Sequence, residues 1–238
     1  LPDNTDEVAQ KWLIKDTRFK YYKKENGGLS SARNYGIERA LGKYIVTLDA
    51  DDKFEKSFIE QAVNILENND EIGIVSCWGY RFSDSKYYDL FKPNGKDLND
   101  YLFSSAALAS AMFRKKCWDE VKGYDEQMKT GYEDWEYYLR VSKNGWKTKI
   151  IEEPLFFYRQ HDKSMRTIAQ NNYDFEIKIY IYSKHKDLYI ENFDKTIENL
   201  LLSADKNKKN ELKRINSIDF RLGNAILKPL RWLKSLLK

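Results

Sequence analysis

One stretch constrains this chain more than any other: Lys43-Tyr44-Ile45-Val46-Thr47-Leu48-Asp49-Ala50-Asp51-Asp52. Its first half is too short for a helix and rich in residues that suit a pleated surface, so it reads as a buried strand. It runs straight into three carboxylates within four positions, which repel one another unless a cation or a donor lies between them. At the carboxyl end of a strand in an open α/β sheet, where ligands bind, such a cluster is a divalent-metal site. An acidic loop whose first acid caps the next helix is the other reading, and spacing leaves both open. A calcium loop is excluded. Asp49, Asp51 and Glu60 fall at its positions 1, 3 and 12, but Lys53 and Phe54 stand where it needs an oxygen ligand and a glycine.

Helix and strand patterns alternate around that stretch. Asn4-Thr5-Asp6-Glu7 reads as a helix start with Asn4 as cap, followed by Val8, Ala9, Trp12 and Leu13 at helical spacing. Residues 18–23 are expected to form a strand and residues 25–28 a turn. A helix then opens at Ser30 or Ser31 and runs to Leu41, with Leu29, Ala32, Ile37, Ala40 and Leu41 on one face and Gly42 as its stop. Next come a helix over 56–68 and a buried strand over 72–78. Residues 80–99 read as a loop or hairpin excursion around Pro93-Asn94-Gly95, and 106–113 as a strand of small residues. A short helix over 117–121 precedes Gly123, and an amphipathic helix over 133–143 stops at Asn144-Gly145. A strand over 146–151 ends near Pro154. Beyond His161 only helical patterns follow, over 173–183 and 194–203. The alternation predicts an α/β fold with a mostly parallel sheet and crossover helices.

Composition narrows the class. Apolar residues make up 42% and charged residues 33%, which suits a globular protein and argues against disorder. No apolar run approaches the roughly 20 residues needed to span a bilayer, and the polar, acidic start at Leu1 to Asp6 has no secretory-leader pattern. Cys77 and Cys117 lack metal-ligand spacing and read as reduced core residues, which points to a cytosolic compartment. The net charge of +4 is carried by the tail: residues 205–238 hold ten Lys or Arg against three Asp or Glu. A body without a basic face excludes a nucleic-acid-binding domain.

Four clusters carry potential chemistry. The first is Asp49, Asp51 and Asp52. The second is Asn26-Gly27-Gly28 with Ser30, Ser31 and Arg33, where a turn ahead of a helix offers free N–H groups and Arg33 a bidentate donor to an anion such as a diphosphate; a plain structural turn is the alternative. The third, Tyr132-Glu133-Asp134-Trp135, is either a dipole-compensating helix start or a general base tuned by apolar neighbours. The fourth is Tyr158-Arg159-Gln160-His161 with Ser164. His161 there is a metal ligand, a proton carrier or a surface loop residue. His185, between two lysines, reads as surface.

Taken in order, Asn26 to Gly36 (NGGLSSARNYG), Gly42 to Asp52 (GKYIVTLDADD), Gly123-Tyr124-Asp125-Glu126, Tyr132 to Trp135, and Tyr158-Arg159 with His161 and Ser164 resemble the family 2 glycosyltransferases of the GT-A fold. The resemblance covers residues 4–165. It implies a catalytic domain over 1–165 and a helical extension over 166–238. It implies that Asp49 and Asp51 match the Asp-x-Asp motif that holds manganese or magnesium against the donor diphosphate, that Arg33 with Asn26 and Gly27 binds the donor, and that His161 completes the metal site. It further implies that Asp52 contacts the donor sugar and that Asp134 deprotonates the acceptor hydroxyl in an inverting displacement. The implied partners are a nucleotide sugar, UDP-linked by expectation, and a polysaccharide or lipid-linked acceptor. Members begin with an apolar strand, a long helix and a second strand whose acids bind the nucleobase. Asn4-Thr5-Asp6 resembles the segment just after that strand, so an amino-terminally incomplete domain is expected. A non-catalytic fragment and a metal-dependent nucleotidyltransferase are the rival readings.

The tail, residues 221–238, carries Leu222, Ile226, Leu230, Leu233 and Leu237 along one side, with Arg221, Lys228, Arg231, Lys234 and Lys238 supplying charge and Trp232 near the boundary. That is the profile of an interfacial helix on anionic lipid, at the inner face of a plasma membrane, or of a helix packed on its own domain or a partner. Pro229 predicts a break into two short helices.

Overall fold

The computed structural model describes residues 4–83, 86–161 and 164–236, and the side chains of all of these except residues 88 and 229–236. In chain order the elements of the first part are α1 (Thr5–Lys15), α2 (Leu29–Arg39), β1 (Tyr44–Val46), β2 (Lys53–Phe54), α3 (Ser57–Asn68), β3 (Ile72–Ser83), β4 (Lys86–Phe91), α4 (Leu98–Tyr101), β5 (Met112–Arg114), α5 (Lys115–Val121), α6 (Glu133–Lys143) and β6 (Lys147–Arg159). They are followed by α7 (Met165–Ile168), a π-helical turn (Ala169–Tyr173), α8 (Asp174–Lys184), α9 (Lys186–Glu191), α10 (Phe193–Asn216) and α11 (Ile218–Leu236). The chain divides into two compact units, residues 1–181 and 182–238.

The first unit is α/β, as the alternation predicts, but its sheet is mixed rather than mostly parallel. The strand order is β1-β5-β3-β6-β2, with β4 on β3. Only β3 and β6 run parallel; β1–β5, β2–β6, β3–β4 and β3–β5 are antiparallel. The reason lies in the short strands. β4 returns along β3 as a hairpin, β2 is an edge piece on β6, and β5 is inserted between β1 and β3; antiparallel pairings of this kind need no crossover helix.

One sheet face is covered by α3, whose Phe58, Ala62 and Leu66 pack against Val75, Cys77, Met112, Ile151, Leu155 and Phe156. Alternate residues face the other way: Phe113 meets Tyr137 of α6 at 5.2 Å between ring centroids. Tyr137, Tyr138 and Leu139 are fully buried, so α6 is fixed in depth and rotation by its middle turn. Both cysteines are buried and unpaired, and burial pushes each thiol up to about 12.

Several local expectations are corrected. Residues 18–23 form no strand, though Tyr21 and Lys23 reach the Asp6 carboxylate on α1. Asn4 precedes α1 without a side-chain cap bond. Helix α2 ends at Arg39, and Leu41 is fully exposed rather than part of its apolar face. Of the run 106–113 only its last two residues join β5; the rest is loop. Strand β6 does not stop near Pro154 but passes through it, because the β3–β6 register shifts there and a residue without an N–H suits a break in the ladder.

In the second unit His185 is buried, 6% exposed, not a surface residue. Helix α10 buries none of its residues. Helix α11 continues through Pro229 as one helix, against the expected break. The side chains from Pro229 onward, which carry most of the expected amphipathic face, lie outside the described residues. No helix among the described residues is long and apolar enough to cross a membrane.

Candidate functional site

A cleft of about 720 Å³ opens along the carboxyl ends of β1, β3 and β6. Its lining brings together Arg33, Asp49, Asp51, Asp52, Glu133, Asp134 and His161, which the sequence places as far as 128 positions apart. Asn26 and Gly27 are not among the lining residues. The Asn26 side-chain oxygen accepts the Gly28 N–H at 3.0 Å, and Gly28, at φ +90°, starts α2. This is a turn stabilised by its own side chain.

The acidic loop is tied to the end of β6. Pairing of β2 with β6 sets Lys53 opposite Phe157. Two residues on, the Arg159 N–H donates to Asp52 Oδ1 at 2.8 Å and its Nε donates to the Asp51 carbonyl at 3.2 Å. His161 Nε2 then lies 3.1 Å from Asp51 Oδ2, both side chains about half exposed. Burial, with Asp51 and Asp49 close by, pushes the Asp52 carboxyl up to about 7 against the pull of the Arg159 N–H.

Arg33 projects from the first turns of α2 and is 8% exposed. Its Nη1 donates to Glu133 Oε1 at 2.7 Å and its Nη2 to Asp49 Oδ1 at 3.3 Å. The guanidinium sits over the Tyr124 ring, 5.6 Å from its centroid. Burial opposes its charge, but Tyr124, Glu133, Asp49 and Asp134 together outweigh burial and hold its pKa above the ordinary value. The next residue explains why α2 sits where it does. Asn34 Oδ1 accepts from the Tyr124 N–H and Trp118 Nε1, and its Nδ2 donates to the Tyr124 carbonyl and Glu126. A single amide thus joins the α2 segment to the turn at Gly123, whose φ of +77° leaves no room for a Cβ beside Asn34.

Helix α6 begins at Gly131-Tyr132, where Tyr132 holds φ +61°. A bulky residue in the left-handed region is strained. Its hydroxyl is anchored on Asp174 at 2.8 Å. The turn directs Glu133 inward to Arg33 and Asp134 to the cleft. Ser105 Oγ lies 3.2 Å from Asp134 Oδ2 and 3.1 Å from the Ala107 carbonyl, so its one proton serves either acceptor. Burial raises the Asp134 carboxyl above its usual range against the pull of Arg33. Burial and the neighbouring Asp134 push Glu133 up to about 7.

Sequence reasoning missed three contributors: Glu133 as the partner of Arg33, Ser105 on Asp134, and Arg159 on the acidic loop. A signal for the first existed in two adjacent acids that cannot both be surface residues of a helix packed as deeply as α6. Among the described residues no three His, Cys, Asp or Glu side chains gather as a metal cage. Asp51 and His161 are paired, while Asp49 is turned to Arg33. Two exposed ligands, one oxygen and one imidazole, fit a cation that takes its remaining positions from phosphate oxygens and water. A second concavity of about 580 Å³ runs between α2 and the outer edge of β1 and shares Arg33 and Asp49 with the cleft.

Residues 2–121, half of the chain, match the model of glycosyl transferase family 2. An uncharacterized glycosyltransferase of Methanocaldococcus jannaschii, MJ1057, is 32% identical over 167 residues, which is 66% of this chain and 57% of that protein. The chain spans little more than half the length of the first curated relatives it matches. Among solved structures, S. aureus TarS residues 1–349 in complex with UDP-GlcNAc superimposes with a TM-score of 0.57 at 14% identity, over 70% of this chain and 49% of that one. The mannosyltransferase PcManGT of Pyrobaculum calidifontis, in complex with GDP-Man and Mn2+, gives 0.51 at 15% identity, over 68% and 46%. At such identities the likeness shows the fold alone, and that fold is GT-A.

Proposed function

Because this chain belongs to glycosyl transferase family 2, we propose that it is a glycosyltransferase whose cleft transfers a sugar from a nucleotide-diphosphate donor, UDP-linked, to a polysaccharide or lipid-linked acceptor with inversion. The observation that carries this reading is the convergence of the acidic loop, a buried arginine and a cleft-facing carboxylate from three separate elements. The nucleotide sugars bound by TarS and PcManGT support the donor class.

Each residue has a task in this scheme. Asp134, raised by burial and steered by Ser105, takes the proton from the acceptor hydroxyl. Arg33 offers its fork of donors to the diphosphate. Asp49, Asp51 and His161 would hold manganese or magnesium, with Asp52 beside the donor sugar. When bound, the cation offsets charge developing on the leaving diphosphate. Asp134 belongs to α6 and the acids to the loop after β1, so base and leaving group approach the sugar from different walls, which favours inversion. We assign the donor contacts to Arg33, Asp49 and Asp52 rather than to Asn26 and Gly27, which lie outside the cleft.

Calorimetric titration of UDP into the chain, with manganese and with chelator, tests the donor site. Binding that survives both chelation and Asp51→Asn overturns the metal assignment. The basic tail, residues 221–238, is proposed to rest on anionic lipid on the cytoplasmic side. Equal pelleting with anionic liposomes after its removal overturns that contact.

A further inference from the structure

We propose that Glu133 is a positioning residue for this reaction: its carboxylate holds the Arg33 guanidinium so that one buried cation spans the donor-end acid Asp49 and the helix start that carries Asp134. The proposal rests on the roles assigned above to Asp49 and Asp134.

Two adjacent acids at a helix start ordinarily compensate its dipole from the surface. Glu133 does not: it is 5% exposed, and the side chains of the ion pair it forms with Arg33 are 7% and 6% exposed. A pair so buried needs close geometry to offset desolvation, and the 2.7 Å contact provides it. The contact from Arg33 to Asp49 is longer, at 3.3 Å, and Asp49 is 41% exposed. Arg33 is therefore held mainly by Glu133 and touches Asp49 only lightly. Among the described residues these are the two carboxylates it meets in an ion pair. Without the Glu133 charge the guanidinium would close on Asp49 and occupy an acid the donor site needs.

The same charge acts on the base. Arg33 pulls the Asp134 carboxyl down, and Asp134 in turn pushes the Glu133 carboxyl up, so the two acids are linked beside one cation. The other titratable groups around Asp134 are Tyr101, Tyr124, Tyr132 and Tyr138. Burial raises all four hydroxyls, so they stay neutral across the range in which the acids titrate. Arg33 and Glu133 therefore set the local field.

The test is a carboxyl-carbon NMR titration of the full chain without ligands, comparing wild type, Glu133→Gln and Glu133→Asp. In Glu133→Gln the Asp134 carboxyl loses its share of the upper step of the pair and its midpoint falls, because no second acid competes for the shared proton. In Glu133→Asp the charge is kept and the midpoint stays near wild type. An unmoved midpoint in a folded Glu133→Gln protein overturns the proposal. Should that variant not fold, the wild-type curves decide: Glu133 and Asp134 titrate as a coupled pair in two steps, and two independent single steps overturn it. Titration of UDP with manganese separates the two readings. A chain that shows the shift but binds no UDP overturns the donor site and leaves the hold on Arg33. A chain that binds UDP and shows no shift overturns the role of Glu133 alone.

Discussion

Replacing Arg33 by methionine removes the guanidinium while keeping most of the side-chain volume, and its cost should depend on pH in a defined way. Glu133 has a carboxyl pushed up to about 7 even with Arg33 beside it. Without Arg33, which pulls it down, it rises further. A carboxyl whose folded pKa lies above its unfolded value contributes stability that is complete below the unfolded pKa and is lost as pH rises through the folded one. Below pH 7 Glu133 is largely protonated in both proteins, so the variant loses only hydrogen bonds to a charged donor, about 1.5–3 kcal/mol each, reduced by the desolvation of Arg33 that no longer has to be offset. Above pH 7 wild type sheds the Glu133 proton into an ion pair, whereas the variant must keep it or bury an unpaired charge. The difference then grows by about 1.4 kcal/mol per pH unit until the variant's own pKa is passed. By pH 9 the deficit reaches about 3–5 kcal/mol, the usual cost of breaking a buried pair from one side. For a unit of 181 residues each kcal/mol lowers Tm by about 2–4 °C. Calorimetric scans of both proteins at pH 6 and pH 9 measure it. A deficit that is the same at both pH values, or larger at pH 6, refutes the argument.

Three shorter expectations follow. Asp134→Asn lowers sugar transfer by about 10²–10⁴-fold, the range of a lost general base, while metal-dependent UDP binding by calorimetry stays intact; a parallel loss of binding would reassign the residue to the donor site. His161→Ala weakens the manganese response of UDP binding by about 10–100-fold or more without changing Tm, because the imidazole is exposed and its ion-pair partner among the described residues is Asp51. Arg140→Met destabilises by about 3–5 kcal/mol in urea unfolding, since it takes from the fully buried Glu136 an ion pair at 2.7 Å and from the Val121 and Gly123 carbonyls at the end of α5 their guanidinium donor.

The parts of this molecule legible in the sequence are those where a local pattern and its environment agree. Helix α6 was bounded to the residue by its acids at one end and Asn144-Gly145 at the other, and α3 by its apolar face. The acidic stretch after β1 stood out by its charge density, which left a ligand site and a helix cap both open. What escaped was set by partners distant in sequence. The run 106–113 has strand-like composition, but most of it is held by long-range bonds. Leu108 N–H donates to Ser76 Oγ, and the Tyr138 hydroxyl donates to the Leu108 carbonyl. These bonds satisfy the backbone without a ladder and leave a small-residue floor beside Asp134. Residues 18–23 have the aromatic content of a strand without a strand to pair with in the described fold. His185 looked exposed because lysines flank it, yet the turn between α8 and α9 turns it inward.

The length of β6 shows how a backbone irregularity can serve a site far from it. A strand stopped at Pro154, as proline in a ladder suggests, would end at Trp78 of its neighbour and leave residues 155–161 without a fixed path. Instead the register slips at Cys77/Trp78 and again at Trp78/Gly79, and Pro154 occupies the slip opposite Trp78. The missing N–H then costs no ladder bond. Pairing resumes from Gly79 opposite Phe156 to Phe82 opposite Arg159. That resumed segment gives β2 its partner, aims the Arg159 N–H at Asp52 and brings His161 to Asp51. The position of the histidine relative to the acids is therefore set by the registers of two strand pairs, and the bulge at Pro154 is the point at which that setting is made.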